Sequence, residues 1–310
     1  MSSGGAVGRF APSPTGPLHF GSLIAALGSW MSVRSRGGTW RLRIDDLDQA
    51  RTVRGMADTI RRQLEAFGLT WDGPVLFQRT RLAAYADALA RLEAAGAVYA
   101  CSCTRREIAD TATEHGPLGV VYPGTCRRAG ARTDRDRALR LRLAAGTHLD
   151  GDRIQGEWRI GHERIGDVVV RRRNGAAAYH LATTLDDAHL GVTDVVRGSD
   201  LLPAAAVQIA LQGALGLPET GWAHLPVVLT ADGSDKLSKQ TGAAAVDPDA
   251  DAVGPLLEAW SFLGQPAPAG RPDTPRAFLD WAVARWDEAL VPAGARLVAD
   301  RAGGMRPESG

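Results

Sequence analysis

The feature that most constrains this chain is the strand–helix–strand unit running from Val7 to Asp48. Val7 to Phe10 reads as a short buried strand, and a loop stiffened by Pro12, Pro14 and Pro17 follows it. Leu23, Ile24, Leu27, Trp30, Met31 and Val33 then recur at spacings that keep one face of a helix apolar. Gly37 and Gly38 close that helix. Trp40, Leu42 and Ile44 alternate as a second strand, which releases Asp45, Asp46 and Asp48 from its C-terminal end. Strand, helix, strand is the unit of a parallel sheet, whose ligands collect outside the carboxyl ends of the strands. The Pro-rich loop and Asp45 are therefore expected to face one crevice. His19, Gly21 and Ser22 stand at the mouth of the helix, where unpaired N–H groups and the peptide dipoles favour an anion. Spacing alone also allows an ordinary helix capped by Ser22 and a turn closed by the aspartates.

Amphipathic helices are expected over 55–67 and 82–95, ended by Gly68 and Gly96. From Cys101 to Ala178 the texture changes to short charged strands and loops, at 140–143, 156–160 and 167–171, which reads as an insertion. Residues 178–183 resume apolar strand character, and Asp186-Asp187 follows. Then come Val195 to Asp200, a helix over 203–215 and a buried strand over 225–229. That strand runs into the Gly-Ser loop carrying Lys236 and Lys239, and further helical pieces fall at 253–263 and 275–291. The fold class expected is α/β, a split parallel sheet with an inserted α+β domain and a short helical C-terminal region. The boundaries are 1–98 for the first half of the sheet, 99–177 for the insertion, 178–245 for the second half and 246–310 for the C-terminal region, its end from Arg301 disordered.

The length, 310 residues, suits about two domains, and the net charge of +1 does not select a partner. Basic pairs and triplets at Arg61-Arg62, Arg105-Arg106, Arg127-Arg128 and Arg171 to Arg173 are either phosphate contacts or solvated faces. No apolar run reaches the roughly 18 residues of a membrane span, and the first residues lack the pattern of a signal peptide, so a cytoplasmic protein is expected. The three cysteines, Cys101, Cys103 and Cys126, cannot all pair as disulfides, and clustered thiols in a reducing compartment point to metal. Zinc chemistry would look for a histidine as fourth ligand, which makes His115 a candidate. Three unmetallated buried thiols remain the other reading.

His19-Phe20-Gly21-Ser22 at a helix start, Lys236-Leu237-Ser238-Lys239-Gln240 on a late loop and a split sheet between them resemble the class I aminoacyl-tRNA synthetases with their HIGH and KMSKS signatures. Arg9 to Gly16 at the front and Val196-Arg197-Gly198 in the second half narrow the resemblance to the glutamyl branch. The Cys-x-Cys pair, the Tyr-x-x-x-Cys and the Lys-Leu-Ser-Lys-Gln loop are similar to the members that lack an anticodon-binding region and glutamylate queuosine in tRNA(Asp).

The resemblance implies a Rossmann-type sheet, ATP and Mg²⁺, L-glutamate and a queuosine-bearing tRNA(Asp); a monomer is expected. It implies catalytic roles for His19 and Lys239, and ATP contacts from His19, Gly21, Ser22, Lys236 and Lys239. The glutamate pocket would be Arg9, Ala11, Ser13, Asp45, Tyr179 and Arg197, with Arg197 on the side-chain carboxylate. Asp45 stands where the family commonly has Glu, one methylene shorter. A Zn²⁺ ion would be held in the insertion by Cys101, Cys103, Tyr122 and Cys126, with Tyr122 in place of His115. A truncated glutamyl-tRNA synthetase charging a tRNA 3′ end, or an inactive tRNA-binding paralogue, are the alternative activities.

Overall fold

A computed structural model describes residues 5–144, 149–230 and 244–297. The chain starts with β1 (Val7–Phe10), α1 (Phe20–Arg34), β2 (Thr39–Ile44), α2 (Met56–Ala66), β3 (Leu76–Phe77) and α3 (Leu82–Ala94). β1, β2 and β3 form a parallel sheet in that order, with Arg9 opposite Arg41 and Ile44 opposite Phe77. α1 crosses over this sheet, as the opening pattern requires.

A lobe of short elements follows: β4 (Val98–Cys101), α4 (Arg105–Thr111), β5 (His115–Gly116), β6 (Gly119–Val120), α5 (Thr125–Ala129), β7 (Ala138–Leu141), β8 (Leu149–Asp152), β9 (Gly156–Trp158), α6 (His162–Ile165) and β10 (Val169–Arg171). Its sheet is antiparallel in the order β10, β7, β4, and two further hairpins pair β5 with β6 and β8 with β9. The β8–β9 hairpin turns back onto the parallel part of the fold, where the Arg153 N–H donates to the Trp222 carbonyl at 3.0 Å.

The chain then resumes as α7 (Tyr179–His189), β11 (Asp194–Gly198), α8 (Leu202–Leu215), β12 (Gly221–Leu225) and β13 (Val227–Leu229). Residues 178–183, expected as a strand, are the start of α7. Leu181, Ala182, Leu185 and Asp186 recur with helical spacing. The β-branched Thr183 and Thr184 are accommodated because their hydroxyls donate to the carbonyls of Tyr179 and His180, one turn back, at 2.9 and 2.8 Å. β11 and β12 are parallel, with Arg197 opposite His224. The three-stranded sheet and the β11–β12 pair meet at β1, where Thr193 N–H donates to the Val7 carbonyl at 2.9 Å and Val7 N–H to Thr193 Oγ1 at 2.9 Å.

The C-terminal region supplies α9 (Gly254–Phe262), α10 (Pro275–Val283) and β14 (Ala295–Leu297), the last parallel to β13. The helix expected over 275–291 stops at Val283; a short 3-10 turn at Glu288–Leu290 follows. The expected disordered end from Arg301 lies outside the described residues.

The main core joins these pieces. Phe10, Leu27, Trp40, Leu225, Trp260 and Phe278 belong to one cluster, with α1 between the parallel strands on one side and α9 and α10 on the other. That explains why α1 is apolar nearly all round: it has neighbours on both faces. Its Gly28 permits the close approach to β12, since a Cβ there would lie 2.6 Å from Leu225 Cδ1. A second cluster, including Tyr85, Leu92, Leu141, Leu181 and Leu211, ties α3 and the lobe to α7 and α8.

Candidate active site

The carboxyl ends of β1, β2, β11 and β12, with the start of α1, enclose a cavity of about 480 Å³. Arg9, Ala11, Ser13, His19, Gly21, Ser22, Asp45, Tyr179 and Arg197 all line it, so the described residues expected at the glutamate and nucleotide sites come together. Lys236 and Lys239 lie outside the described residues. The segments on either side of them do not. Val227 and Val228 line the cavity, and Ala245 forms an antiparallel bridge with His19, with Val246 N–H donating to the Leu18 carbonyl at 2.9 Å.

At the nucleotide end, the helix cap differs from expectation. His19 is the N-cap residue, with extended backbone and no side-chain cap bond, and Ser22 lies inside the first turn. No acidic residue occupies that turn, so its N–H groups and dipole present positive potential to the cavity.

The other wall is a buried charge network. Arg9 Nε donates to Asp187 Oδ1 at 3.0 Å and its Nη1 to the Val196 carbonyl at 3.1 Å. Arg43, 1% exposed, donates to the same Asp187 oxygen at 2.6 Å and to both oxygens of Asp45 at 2.6 and 3.3 Å. Burial opposes the Asp187 charge, but Arg9 and Arg43 outweigh it and hold its carboxyl below the ordinary range. Asp45, expected in the glutamate pocket, is thus already engaged by Arg43. Asp46 pairs with Arg79 and Asp48 with Arg51, both away from the cavity lining.

Arg197 differs from its neighbours. It is 6% exposed, and among the described residues its partners are all uncharged: Nε donates to His224 Nε2 at 3.1 Å, Nη1 to Gln208 Oε1 at 2.6 Å and Nη2 to the Leu201 carbonyl at 3.0 Å. Its guanidinium stands 5.1 Å from the Trp222 ring centre. Burial, with the charge of Arg9 beside it, outweighs the opposing pull of Tyr179, Asp187 and Asp200 and brings its pKa down to about 10. Arg9 and Arg43 are thus paired directly with Asp187 and Asp45, whereas among the described residues the hydrogen bonds of Arg197 all go to neutral acceptors. The chemistry of the wall suits a carboxylate, and that of the helix mouth suits a phosphate.

Arg43, Asp187, His224 and Gln208 were not anticipated. Arg43 carried a signal, because it precedes Asp45 by two positions and so shares its strand face. Asp187 had none, since its partners are more than 140 residues away in sequence.

The lobe holds a second candidate centre. Cys101 ends β4, Cys126 lies in α5, and the Sγ atoms of Cys101, Cys103 and Cys126 are all within 4.8 Å of one another, as unpaired thiols. Tyr122 Oη is 3.4 Å from Cys101 Sγ and 3.5 Å from Cys103 Sγ, and accepts the Cys126 N–H at 2.8 Å. His115 is exposed on β5 and is not part of the cluster. Burial pushes the Cys103 thiol up to about 11. Burial also opposes ionisation of Cys126, yet donation from the Ser102 backbone and the neighbouring Tyr122, Cys103 and Ser102 side chains bring it down to about 6. Arg140 supports the cluster by donating to Cys101 Sγ at 3.2 Å while standing 3.8 Å over the Tyr122 ring. Such a cluster can hold a metal ion.

A parallel α/β core with a helix mouth suited to an anion beside a wall suited to a carboxylate is the arrangement expected of a nucleotide-dependent, acid-activating enzyme. Residues 6–258 match the family model described as tRNA synthetases class I (E and Q), catalytic domain. The glutamyl-Q tRNA(Asp) synthetase of Chromobacterium violaceum is 51% identical over 290 residues, covering 93% of this chain and 95% of that protein. Its namesake from Dechloromonas aromatica is 51% identical over 265 residues, 84% and 87% of the two chains. Among solved structures, a glutamate tRNA ligase from Elizabethkingia meningosepticum in complex with its amino acid shares the fold, with a TM-score of 0.78 at 22% identity, over 95% of this chain and 67% of that one. The chain belongs to the class I tRNA synthetase family of the E and Q type, in the branch of the glutamyl-Q tRNA(Asp) synthetases, and is a ligase. Membership brings an amino acid, ATP and tRNA as partners. Among the described residues no helix is long and apolar enough to cross a membrane.

Proposed function

We propose that this protein activates L-glutamate with ATP to glutamyl adenylate and transfers the glutamyl group to queuosine in the anticodon of tRNA(Asp). The observation that carries this reading is the buried Arg197 guanidinium, which has only uncharged partners among the described residues and lines the same cavity as the mouth of α1. Arg197 receives the side-chain carboxylate. Arg9, Ala11, Ser13, Asp45 and Tyr179 surround the remainder of the amino acid, with Asp45 reaching the ammonium while it holds Arg43. Attack of the α-carboxylate on the α-phosphate of ATP builds negative charge on phosphate oxygens, and donors fixed beforehand stabilise it. His19, Gly21 and Ser22 supply that end, with Lys236 and Lys239 brought from the late loop, after which Ala245 bridges to His19. Mg²⁺ enters with ATP as part of the substrate and offsets phosphate charge.

In this reading the three-stranded sheet and the β11–β12 pair are halves of one split Rossmann-type sheet, 1–98 and 178–245, interrupted by the lobe at 99–177 and followed by the helical region 246–310. The thiols of Cys101, Cys103 and Cys126 with Tyr122 Oη suit a structural Zn²⁺, which would clamp a lobe with few buried residues of its own. The protein acts as a cytoplasmic monomer. The choice of tRNA(Asp) follows the names of the curated relatives.

Glutamate-dependent ATP–pyrophosphate exchange without tRNA tests the first step; folded protein that gives none refutes tRNA-independent activation. Labelled glutamate offered with tRNA(Asp) carrying or lacking queuosine tests the second. Label that survives removal of the tRNA 3′ end and requires queuosine supports the proposal, whereas label lost with the 3′ end indicates a truncated glutamyl-tRNA synthetase. No label under any condition, with no exchange, indicates an inactive tRNA-binding paralogue.

A further inference from the structure

Arg197 is held from behind by a chain of two residues that the carboxylate site itself does not contain. His224 sits opposite Arg197 in the register of β11 and β12, fully buried, with its ring parallel to Trp222 at 6.0 Å between centres. Its Nε2 lies 3.1 Å from Arg197 Nε, and its Nδ1 lies 2.5 Å from Asp152 Oδ2. Asp152 arrives on β8. Its other oxygen accepts the backbone N–H groups of Ile154, Gln155 and His224 at 3.0, 2.8 and 3.1 Å.

The protonation pattern follows from donor chemistry. A guanidinium has only N–H groups to offer, so a contact with imidazole Nε2 requires a lone pair there. The ring proton is then on Nδ1, facing the carboxylate. Burial favours the same neutral ring, outweighing the pull of Asp152 and holding His224 below its ordinary pKa. The neutral ring gives Arg197 an acceptor without a counter-charge. A carboxylate in that place would neutralise Arg197 and compete with an acidic ligand. Of the five N–H groups of Arg197, three are used by described residues. Two remain for a planar, two-oxygen partner.

We propose that Asp152 and His224 are positioning residues for amino-acid recognition: the carboxylate fixes the imidazole as its Nδ1–H tautomer, and the imidazole holds Arg197 in the plane that receives a side-chain carboxylate. The inference rests on the reading of Arg197 as the counter-charge of glutamate. It makes the β8–β9 hairpin, which follows the thiol-bearing part of the lobe, part of the specificity apparatus.

The test is glutamate-dependent ATP–pyrophosphate exchange by the full chain and its His224→Met, His224→Gln, Asp152→Asn and Arg197→Lys variants, with KM measured separately for glutamate and ATP. His224→Met, similar in bulk but without the acceptor, is expected to raise the glutamate KM by roughly tenfold to a hundredfold, the range for losing a bond to a charged group. The ATP KM should stay within about twofold, because the relay lies behind Arg197 and away from the α1 mouth. His224→Gln, whose amide oxygen can accept from Arg197, should recover most of the loss, and Asp152→Asn should fall between. Nitrogen-15 correlation spectra of the wild-type protein should show His224 neutral and unprotonated at Nε2. A folded His224→Met with the wild-type glutamate KM, while Arg197→Lys is impaired, overturns the relay alone. Wild-type glutamate KM in Arg197→Lys overturns the reading of the site and the relay with it. A His224 ring protonated at Nε2 overturns the relay whether or not the variants fold.

Discussion

Replacing Asp187 by Asn removes the charge from the one carboxylate oxygen that serves both Arg9 and Arg43, at 3.0 and 2.6 Å. The side chain is 3% exposed and the two arginine side chains 5% and 1%, so water cannot take over. Breaking a buried ion pair from one side costs about 3–5 kcal/mol, chiefly because the remaining charge is left uncompensated. Arg43 keeps Asp45, and an Asn oxygen can still accept a hydrogen bond, so the lower end applies, about 3 kcal/mol. In a domain of this size that is a fall of about 6–12 °C in Tm. The pH dependence provides an independent check. The Asp187 carboxyl is depressed in the folded state, so its contribution to stability is fully present above the unfolded value, about 3.9, and lost as pH falls through the folded one. Urea unfolding of wild type and Asp187→Asn between pH 3 and 8 should therefore show a constant gap at neutral pH that closes only below about pH 4. A gap within about 0.5 kcal/mol at pH 7, or one that vanishes already at pH 6, would refute the assignment of Asp187 as the charge that holds this wall.

Arg197→Lys is expected to raise the glutamate KM by roughly tenfold to a hundredfold in pyrophosphate exchange, since an ammonium cannot reproduce a planar fork; the ATP KM serves as the control. Tyr122→Phe should lower zinc per chain, measured by elemental mass spectrometry on purified protein, whereas His115→Ala should leave it unchanged, and the reverse result would put His115 in the ligand set. His19→Ala and Lys239→Ala should each reduce the exchange rate by roughly a hundredfold, the scale for losing one preorganised donor to developing charge. Full activity in Lys239→Ala would remove the late loop from the reaction.

Much of the fold was legible because it depends on local pattern. The apolar spacing from Leu23 to Val33 and the alternation from Trp40 to Ile44 gave a crossover and a parallel pair, and the strands pair as such. The misreading of 178–183 shows where pattern fails. Two adjacent β-branched threonines look like strand, and only the bonds from their hydroxyls to the preceding turn show why the helix tolerates them. The cavity lining was legible from the resemblance. What holds it was not: Arg9 depends on Asp187, and Arg197 on His224 and Asp152, residues distant in sequence and unremarkable in type. The thiol cluster was readable from its three cysteines, while Arg140 beneath it became visible only once β7 was paired with β4.

The charge pattern of the cavity bears on specificity more directly than any single contact. Glutamate at neutral pH carries two carboxylates and one ammonium, a net single negative charge, and glutamine carries none. The wall pairs Arg9 and Arg43 directly with Asp187 and Asp45 and gives Arg197 hydrogen bonds to neutral acceptors, so in the proposed reading its guanidinium is the cation offered to an acidic ligand. Keeping a buried cation without a directly hydrogen-bonded counter-ion is costly, and burial draws the Arg197 pKa down to about 10 against the pull of Asp187 and Asp200. A ligand bearing a carboxylate removes that cost on binding, whereas a carboxamide of the same shape accepts the hydrogen bonds and leaves the charge unmatched. In the proposed reading, acid is discriminated from amide by that neutral set of hydrogen-bond partners around Arg197. The neutral tautomer of His224 preserves that set, for an ionised carboxylate in its place would hold Arg197 equally well and erase the preference.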